Sequence, residues 1–328
     1  MTVALSGRAS DVRVIGLISL AHGSSHFFHL ILPPMFPWLK EAFALSYAEL
    51  GLLMSVFFVV SCVVQATSGF LVDRIGARPV LFAGVGLLTL AALTYSQSNG
   101  YPMLVLGAVI AGCGNGVFHP VDYTLINHKI TAPNLPYAYS MHGVTGYLGW
   151  AAAPTFMVGI TELSDWRIAF LSAALLEAIV LLVLWLSRDQ LFDNVRERKE
   201  NSSQGAKATH SEGKTVSPFA FLKLESVWFC WLFFFFSMAA TSSLQSFAPS
   251  ALNQIYNIAI SVGSYFITLL ALGSAGGVLL GGILAAKLKV PEKIVTVCLS
   301  VTVMTCLLLA TGMTPIKDRK STRLNSSH

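Results

Sequence analysis

The chain has 328 residues, of which 54% are hydrophobic and only 11% charged, and a formal net charge of +5. That charged share is about half of what a water-soluble domain carries, so the chain cannot build a solvated surface and lipid has to take the place of water. The positive excess calls for no nucleic-acid partner, because basic residues beside anionic lipid headgroups account for it.

Nine apolar runs follow one another: Val14 to Trp38, Tyr47 to Val72, Pro79 to Ser96, Tyr101 to Asn127, Tyr137 to Ile160, Trp166 to Ser187, Val227 to Leu252, Ile260 to Ala286 and Ile294 to Met313. At ~1.5 Å per residue each can cross a hydrocarbon core of about 30 Å. Backbone in lipid must satisfy its own amides, so runs of this length are predicted to be helices. The predicted class is an all-α integral membrane protein with nine transmembrane helices. The first run is too long for a signal-peptide core and no small-residue cleavage site follows it, so it is expected to be retained.

Charge sets the predicted orientation. Of the 21 Lys and Arg residues, only Lys40 and Arg167 fall in loops opposite the amino terminus, while Lys317, Arg319, Lys320 and Arg323 lie in the last segment. The other 15 sit on the amino-terminal side, which places that side in the cytoplasm and the chain in a bacterial-type inner (plasma) membrane. The five cysteines, Cys62, Cys113, Cys230, Cys298 and Cys306, all lie within apolar runs without paired spacing. They read as small core hydrophobes, with no disulfide and no metal or other cofactor.

The first run carries His22, His26 and His29, which at ~100° per residue fall within an arc of about 60° on one helix face. Ser46 and Glu49 have the spacing of a helix-capping box. The second run ends in Gly69-Phe-Leu-Val-Asp73-Arg74-Ile-Gly76-Ala-Arg78, where Gly69 would admit a neighbouring helix and Asp73 and Arg74 would clamp helices through charge. In the fourth run, Gly112-Cys-Gly-Asn-Gly116 reads as close helix packing and not as a nucleotide loop, since no strand precedes it. His119 and Asp122 follow one turn apart around Pro120, which frees the Gly116 carbonyl and predicts a kink.

The fifth run adds His142, with Gly143, Gly146, Gly149 and Pro154 after it. His22 lies eight residues past Val14, His119 eight before Asn127 and His142 five past Tyr137, so three helices present imidazoles about 8 to 12 Å deep. Ionisable groups at that depth face a water-filled cavity or a partner, and histidine titrates near neutrality, so this set reads as a proton-coupling site. Glu177 in the sixth run is given no role. The polar stretch Arg188 to Pro218 reads as a mostly irregular cytoplasmic linker. Beyond it, Gln245, Asn253 and Gln254 stand where they would hydrogen-bond a substrate or a neighbouring helix. Gly282-Ile-Leu-Ala-Ala286-Lys287 echoes the Gly69 segment, as in transporters built from parallel repeats.

The Gly69 to Arg78 segment resembles the loop between helices two and three of the major facilitator superfamily, usually G-x-L-x-D-R-x-G-R-[RK]. Ala77 departs from that pattern and Arg78 keeps one of its two terminal basic residues. Ala21 to His29, Asn115 to Tyr123 and His142 to Trp150 are similar to transporters grouped around fosmidomycin-resistance proteins, which are proton-driven drug exporters. The resemblance implies a six-helix amino-terminal bundle (residues 1–187), a cytoplasmic linker (188–218) and the first three helices of a carboxy-terminal bundle (219–314). It implies that the family's last three helices are missing, and because Lys317, Arg319, Lys320 and Arg323 would then break the charge pattern on the outer face, residues 315–328 are expected to be a non-native tail. It also makes Gly69, Asp73, Arg74, Gly76 and Arg78 a gating loop, and puts the helices of His22, His26, His29, His119, Asp122 and His142 on the substrate path.

The expected function is secondary transport of a small molecule by alternating access, as a proton-coupled drug or metabolite efflux antiporter, monomeric and not an enzyme. No G-x-x-x-x-G-K-[ST] loop is present to bind ATP. Two alternatives are a transporter-like membrane sensor and a His-ligated metal enzyme. Against the metal enzyme, the three histidines of the first run extend over about 10 Å, too far for one ion.

Overall fold

The computed structural model describes residues 2–193, 220–288 and 291–311, and every regular element among them is helical. In chain order these are α1 (Thr2–His29), α2 (Phe36–Phe43), α3 (Tyr47–Ile75), α4 (Ala77–Ser96), α5 (Tyr101–Asn115), α6 (Phe118–Lys129), α7 (Leu135–Leu163), α8 (Trp166–Leu186), α9 (Glu225–Tyr256), α10 (Ile260–Leu288) and α11 (Pro291–Ala310). A 3₁₀ turn at Pro33–Met35 joins α1 to α2.

Each of the nine apolar runs has its helix, and among the described residues seven segments are long and apolar enough to cross a membrane. These are Ser10–Phe43, Tyr47–Ile75, Ala77–Ser96, Tyr101–Lys129, Trp166–Leu186, Glu225–Tyr256 and Ile260–Gly281. Two expected spans fall short of that standard. α7 has 29 residues but spends several on buried small and polar side chains, His142, Gly146, Gly149 and Thr161 among them, because much of its surface meets other helices in place of lipid. In α11 the described apolar stretch is only Lys293–Leu308.

Small residues let the helices approach. α1 packs along α7, α4 along α5 and α8, and α3 along α5. A Cβ on Gly149 would run into the Gly23 carbonyl and the Phe27 amide of α1. One on Gly112 would stand 2.7 Å from the Phe57 carbonyl, one on Gly116 2.6 Å from that of Ser61, and one on Gly114 2.8 Å from that of Gly84. The glycine run from 112 to 116 is therefore a packing ridge, as its sequence context predicts.

The polar punctuation is local. Ser46 accepts the Glu49 amide at 3.2 Å while the Glu49 carboxylate accepts the Ser46 amide at 2.8 Å, a complete capping box for α3. Gly76 turns the chain from α3 into α4 at φ 94°, in the region that only glycine enters without strain. Pro120 lacks the amide that would bond the Gly116 carbonyl, the helix breaks at residues 116–117 between α5 and α6, and the Ser68 hydroxyl donates to that carbonyl at 3.4 Å.

Residues 188–193, at the start of the expected linker, fold back under the bundle. Arg78 donates to the Arg188 carbonyl at 3.2 Å and lies over the Phe192 ring, and Lys129 donates to the Phe192 carbonyl at 3.1 Å. The rest of that linker lies outside the described residues, as does the expected tail at 315–328. By internal contacts, residues 1–275 form one compact unit and residues 276–328 another. Within the first unit, Gln254 of α9 donates to the Tyr47 hydroxyl at 2.8 Å, and Thr268 of α10 meets Thr155 and donates to the Ala151 carbonyl, both at 2.8 Å. Phe247 fills the notch over Gly51. The opposite end of α9 is bare: Trp228, Phe229 and Trp231 to Phe236 are all exposed.

Candidate functional site

α1 and α7 cross so closely at Gly23 and Gly149 that side chains on either side of the crossing must interleave. The helical spacing of His22, Ser25, His26 and His29 turns them towards α6 and α7, so the imidazoles of three helices meet. The His22 and His142 rings stack with centroids 3.5 Å apart, and His119 lies 5.2 Å from His22. His26 lies 4.4 Å from His22 and 4.9 Å from His29.

At the centre is Asp122, which is 0% exposed. Its Oδ2 is 3.1 Å from His22 Nδ1 and 3.1 Å from His142 Nε2, while Oδ1 is buried without a partner. A carboxylate only accepts hydrogen bonds, so both rings donate to it, which fixes the His22 proton on Nδ1 and the His142 proton on Nε2. Protonating either imidazole turns its hydrogen bond into an ion pair.

His29 has a different state. Trp150 Nε1–H can only donate, and it does so to His29 Nδ1 at 3.2 Å. The ring is therefore neutral with its proton on Nε2, 2.8 Å from the Asn115 side-chain amide. That proton requires Asn115 to turn its oxygen to the ring and its NH₂ to the Ser61 hydroxyl, 2.7 Å away. His29 is thus held by hydrogen bonds from α5 and α7, and Ser61 of α3 steadies Asn115. A cavity of about 200 Å³ opens beside it, lined by Ser25, His26, Ser61, Gln65, Asn115 and His119 among others.

The six sequence-selected intramembrane residues, His22, His26, His29, His119, Asp122 and His142, are brought together. Ser61, Asn115 and Trp150, which complete the His29 network, were given no role by the sequence reading. Asn115 lies four residues before His119 across the break at residues 116–117, so sequence spacing carries only part of that signal. Ser61 and Trp150 become visible only once α3 and α7 are packed. Glu177 is 0% exposed on α8, where the Ser24 hydroxyl of α1 is the polar group beside its carboxylate.

Among the described residues, nothing lies within 4 Å of the place a Cβ on Gly69 would take, so no neighbouring helix meets it there. Instead Asp73 and Arg74, with Thr67, Phe70 and Leu71, line a cavity of about 570 Å³ at the end of α3. Asn253 does not face a substrate position either: its Nδ2 donates to the Ile258 carbonyl at 2.9 Å and closes the end of α9. As for a metal, nitrogens of His22, His119 and His142 lie within 4.8 Å of one another. Of these, His22 and His142 each spend one nitrogen on Asp122, while His119 Nδ1 has no hydrogen-bond partner.

The curated relatives include the fosmidomycin resistance protein of Escherichia coli (strain K12), 24% identical over 170 residues, which is 52% of this chain and 42% of that protein. They also include an uncharacterized MFS-type transporter, YhcA, of Bacillus subtilis (strain 168), 25% identical over 161 residues, 49% of this chain and 30% of that protein. The chain thus spans less than half the length of either. Among solved structures, a D-xylose-proton symporter matches with a TM-score of 0.67 at 12% identity, covering 84% of this chain and 69% of that one. A bacterial homolog to the human lysosomal transporter Spinster, inward-facing and unoccupied, matches with a TM-score of 0.62 at 16% identity, covering 85% and 63%. These two share the fold. Residues 18–319 match the model of the Major Facilitator Superfamily, so this integral membrane chain belongs to that family of transporters.

Proposed function

We propose that the chain is part of a secondary active transporter that exports a small drug-like or metabolite molecule in exchange for protons. The observation that carries this reading is Asp122, fully buried between two helices that each give it an imidazole. An isolated carboxylate inside a membrane is costly, and a carboxylate with two imidazoles is a place where one proton comes and goes while the acid keeps a partner. The adjacent cavity is lined by imidazole, amide and hydroxyl groups together with Phe58, Phe118 and Cys62, which suits a small molecule with both polar and apolar parts.

Alternating access is supported by the placing of contacts. The hydrogen bonds and packing that join α9 and α10 to the earlier helices use Tyr47, Gly51, Ala151 and Thr155 with Phe247, Gln254 and Thr268. These all gather at one end, which with a cytoplasmic amino terminus is the outer end. The other end of α9 is uncovered, as an inward-facing state requires. In this reading residues 1–187 form the amino-terminal bundle, 188–218 the linker and 219–314 part of the second bundle, in the inner membrane and as a monomer. The Gly69 to Arg78 loop then stands at the inner end, where it would gate.

The first test is tolerance of cells expressing the protein to fosmidomycin and a panel of other drugs. Proteoliposomes then measure accumulation of any active compound under an imposed pH gradient. Asp122→Asn should abolish gradient-driven accumulation and keep substrate binding, and His119→Ala should shift the pH optimum. If both keep the wild-type accumulation and pH profile, the proton site lies elsewhere.

A further inference from the structure

His26 has no bonding role in the resting network. Both of its nitrogens are buried without a hydrogen-bond partner, so a phenyl ring of similar size would pack there at less cost. Its place is between the Asp122 cluster and the cavity. The His26 ring lines the cavity, and its centroid is 4.4 Å from that of His22, 6.2 Å from His119 and 4.6 Å from Trp150. A Cβ on Gly146 would stand 3.0 Å from His26 Nδ1 and 3.1 Å from His22 Nε2, so these two nitrogens border the same notch, which glycine leaves open. The other nitrogen of His22 is already on Asp122.

We propose that His26 is the proton relay between the cavity and Asp122, with Gly146 as the clearance in which its ring turns. This rests on the reading of Asp122 as the proton site. A proton taken from cavity water by His26 passes to His22 Nε2, while His22 releases its Nδ1 proton to Asp122 Oδ2. One N–H or O–H bond forms for each that breaks, and the ring of His22 ends neutral. The titratable groups around His26 are His22 and His29 on its own helix, His119 on α6, His142 on α7 and Cys62 on α3, across the cavity. His29 cannot substitute, because Trp150 occupies its free lone pair. Among the described residues, no lysine, arginine or carboxylate lines this cavity.

The experiment is a pH jump on the purified protein in weakly buffered detergent, with a soluble pH dye reporting proton uptake. His26→Ala should slow uptake on the order of a hundredfold and leave its amplitude reduced by no more than one group, as loss of a positioned acid–base group does. Added imidazole should restore the rate in His26→Ala, where the ring has left a space, and should not restore it in His26→Gln, where the side chain fills that space. Gly146→Ala should slow uptake without removing any titratable group. Wild-type rates in His26→Ala and His26→Gln would overturn the relay. Asp122→Asn separates the two ideas, since an unchanged amplitude in that variant refutes the proton site itself.

Discussion

Gly149 is the position where the packing of α1 against α7 can be tested most directly. Replacing it with alanine puts a methyl group 2.8 Å from the Phe27 amide nitrogen and closer still to the Gly23 carbonyl. Both are backbone atoms, so no side chain can swing aside. Ordinary contact begins near 3.4 Å, and the two helices have to part by more than half an ångström. Overpacking of this kind costs about 1 to 3 kcal/mol. Against it stands the gain of about 0.5 to 1 kcal/mol from replacing a mid-helix glycine with alanine. Gly149→Ala should therefore lower stability by up to about 2.5 kcal/mol. Gly143 and Gly159 of the same helix have nothing within 4 Å, so alanine there should be neutral or stabilising. Thermal unfolding in one detergent, followed by tryptophan fluorescence, ranks the three variants. Equal midpoints for Gly149→Ala and Gly143→Ala would show that α1 and α7 do not meet as described.

Asn115→Ala leaves the His29 Nε2 proton and the Ser61 hydroxyl without partners, which should cost about 1 to 3 kcal/mol in the same unfolding assay, whereas Ser61→Ala alone should cost less. Ser46→Ala removes one side of the α3 capping box and should cost about 0.5 to 2 kcal/mol with transport per folded molecule unchanged. Gly51→Leu fills the notch that holds Phe247 and should weaken the closure at that end of the helices, raising the reactivity of a cysteine placed at Thr155 towards membrane-impermeant thiol reagents. An unchanged labelling rate would remove Phe247 from that closure.

How much of this was legible in the sequence depends on whether the signal is local. Ser46 and Glu49 are three residues apart, and a cap is satisfied within a single turn, so spacing was enough. Pro120 acts four residues back on the Gly116 carbonyl, which predicted the break, but the Ser68 hydroxyl that compensates it comes from another helix. The α1 histidines share a face by helical period alone. That His22 and His142 bond the same oxygen of Asp122 depends on the approach of α1 to α7, set by Gly23 and Gly149, which hydrophobic periodicity cannot measure. Gly69 shows the converse. A glycine in a span permits close approach without requiring it, and only the packed helices distinguish Gly69 from Gly149. The polarity of α7 is likewise a tertiary property: a helix surrounded by others can afford His142 and its glycines, and a hydropathy scan reads the same residues as weakness.

The charge count at Asp122 gives these packing details their consequence. A carboxylate with two neutral imidazoles carries one negative charge, and one added proton makes the group neutral as a whole, whether that proton rests on the acid or on a ring. Either state keeps the acid bonded, so neither leaves a bare carboxylate among apolar helices, where an unpaired ion is penalised most. That requires both imidazoles to remain in reach as the proton comes and goes. His22 and His142 sit on different helices, and the Gly23–Gly149 crossing that stacks them leaves no slack. A transporter that moves a proton through this point therefore has to change the water access to α6 and the cavity while α1 and α7 stay locked together. It follows that substitutions loosening α1 against α7 should impair coupling more than they impair folding, and that substitutions at the α5–α6 break, around Gly116 and Ser68, should alter the rate of exchange between the two sides of the membrane.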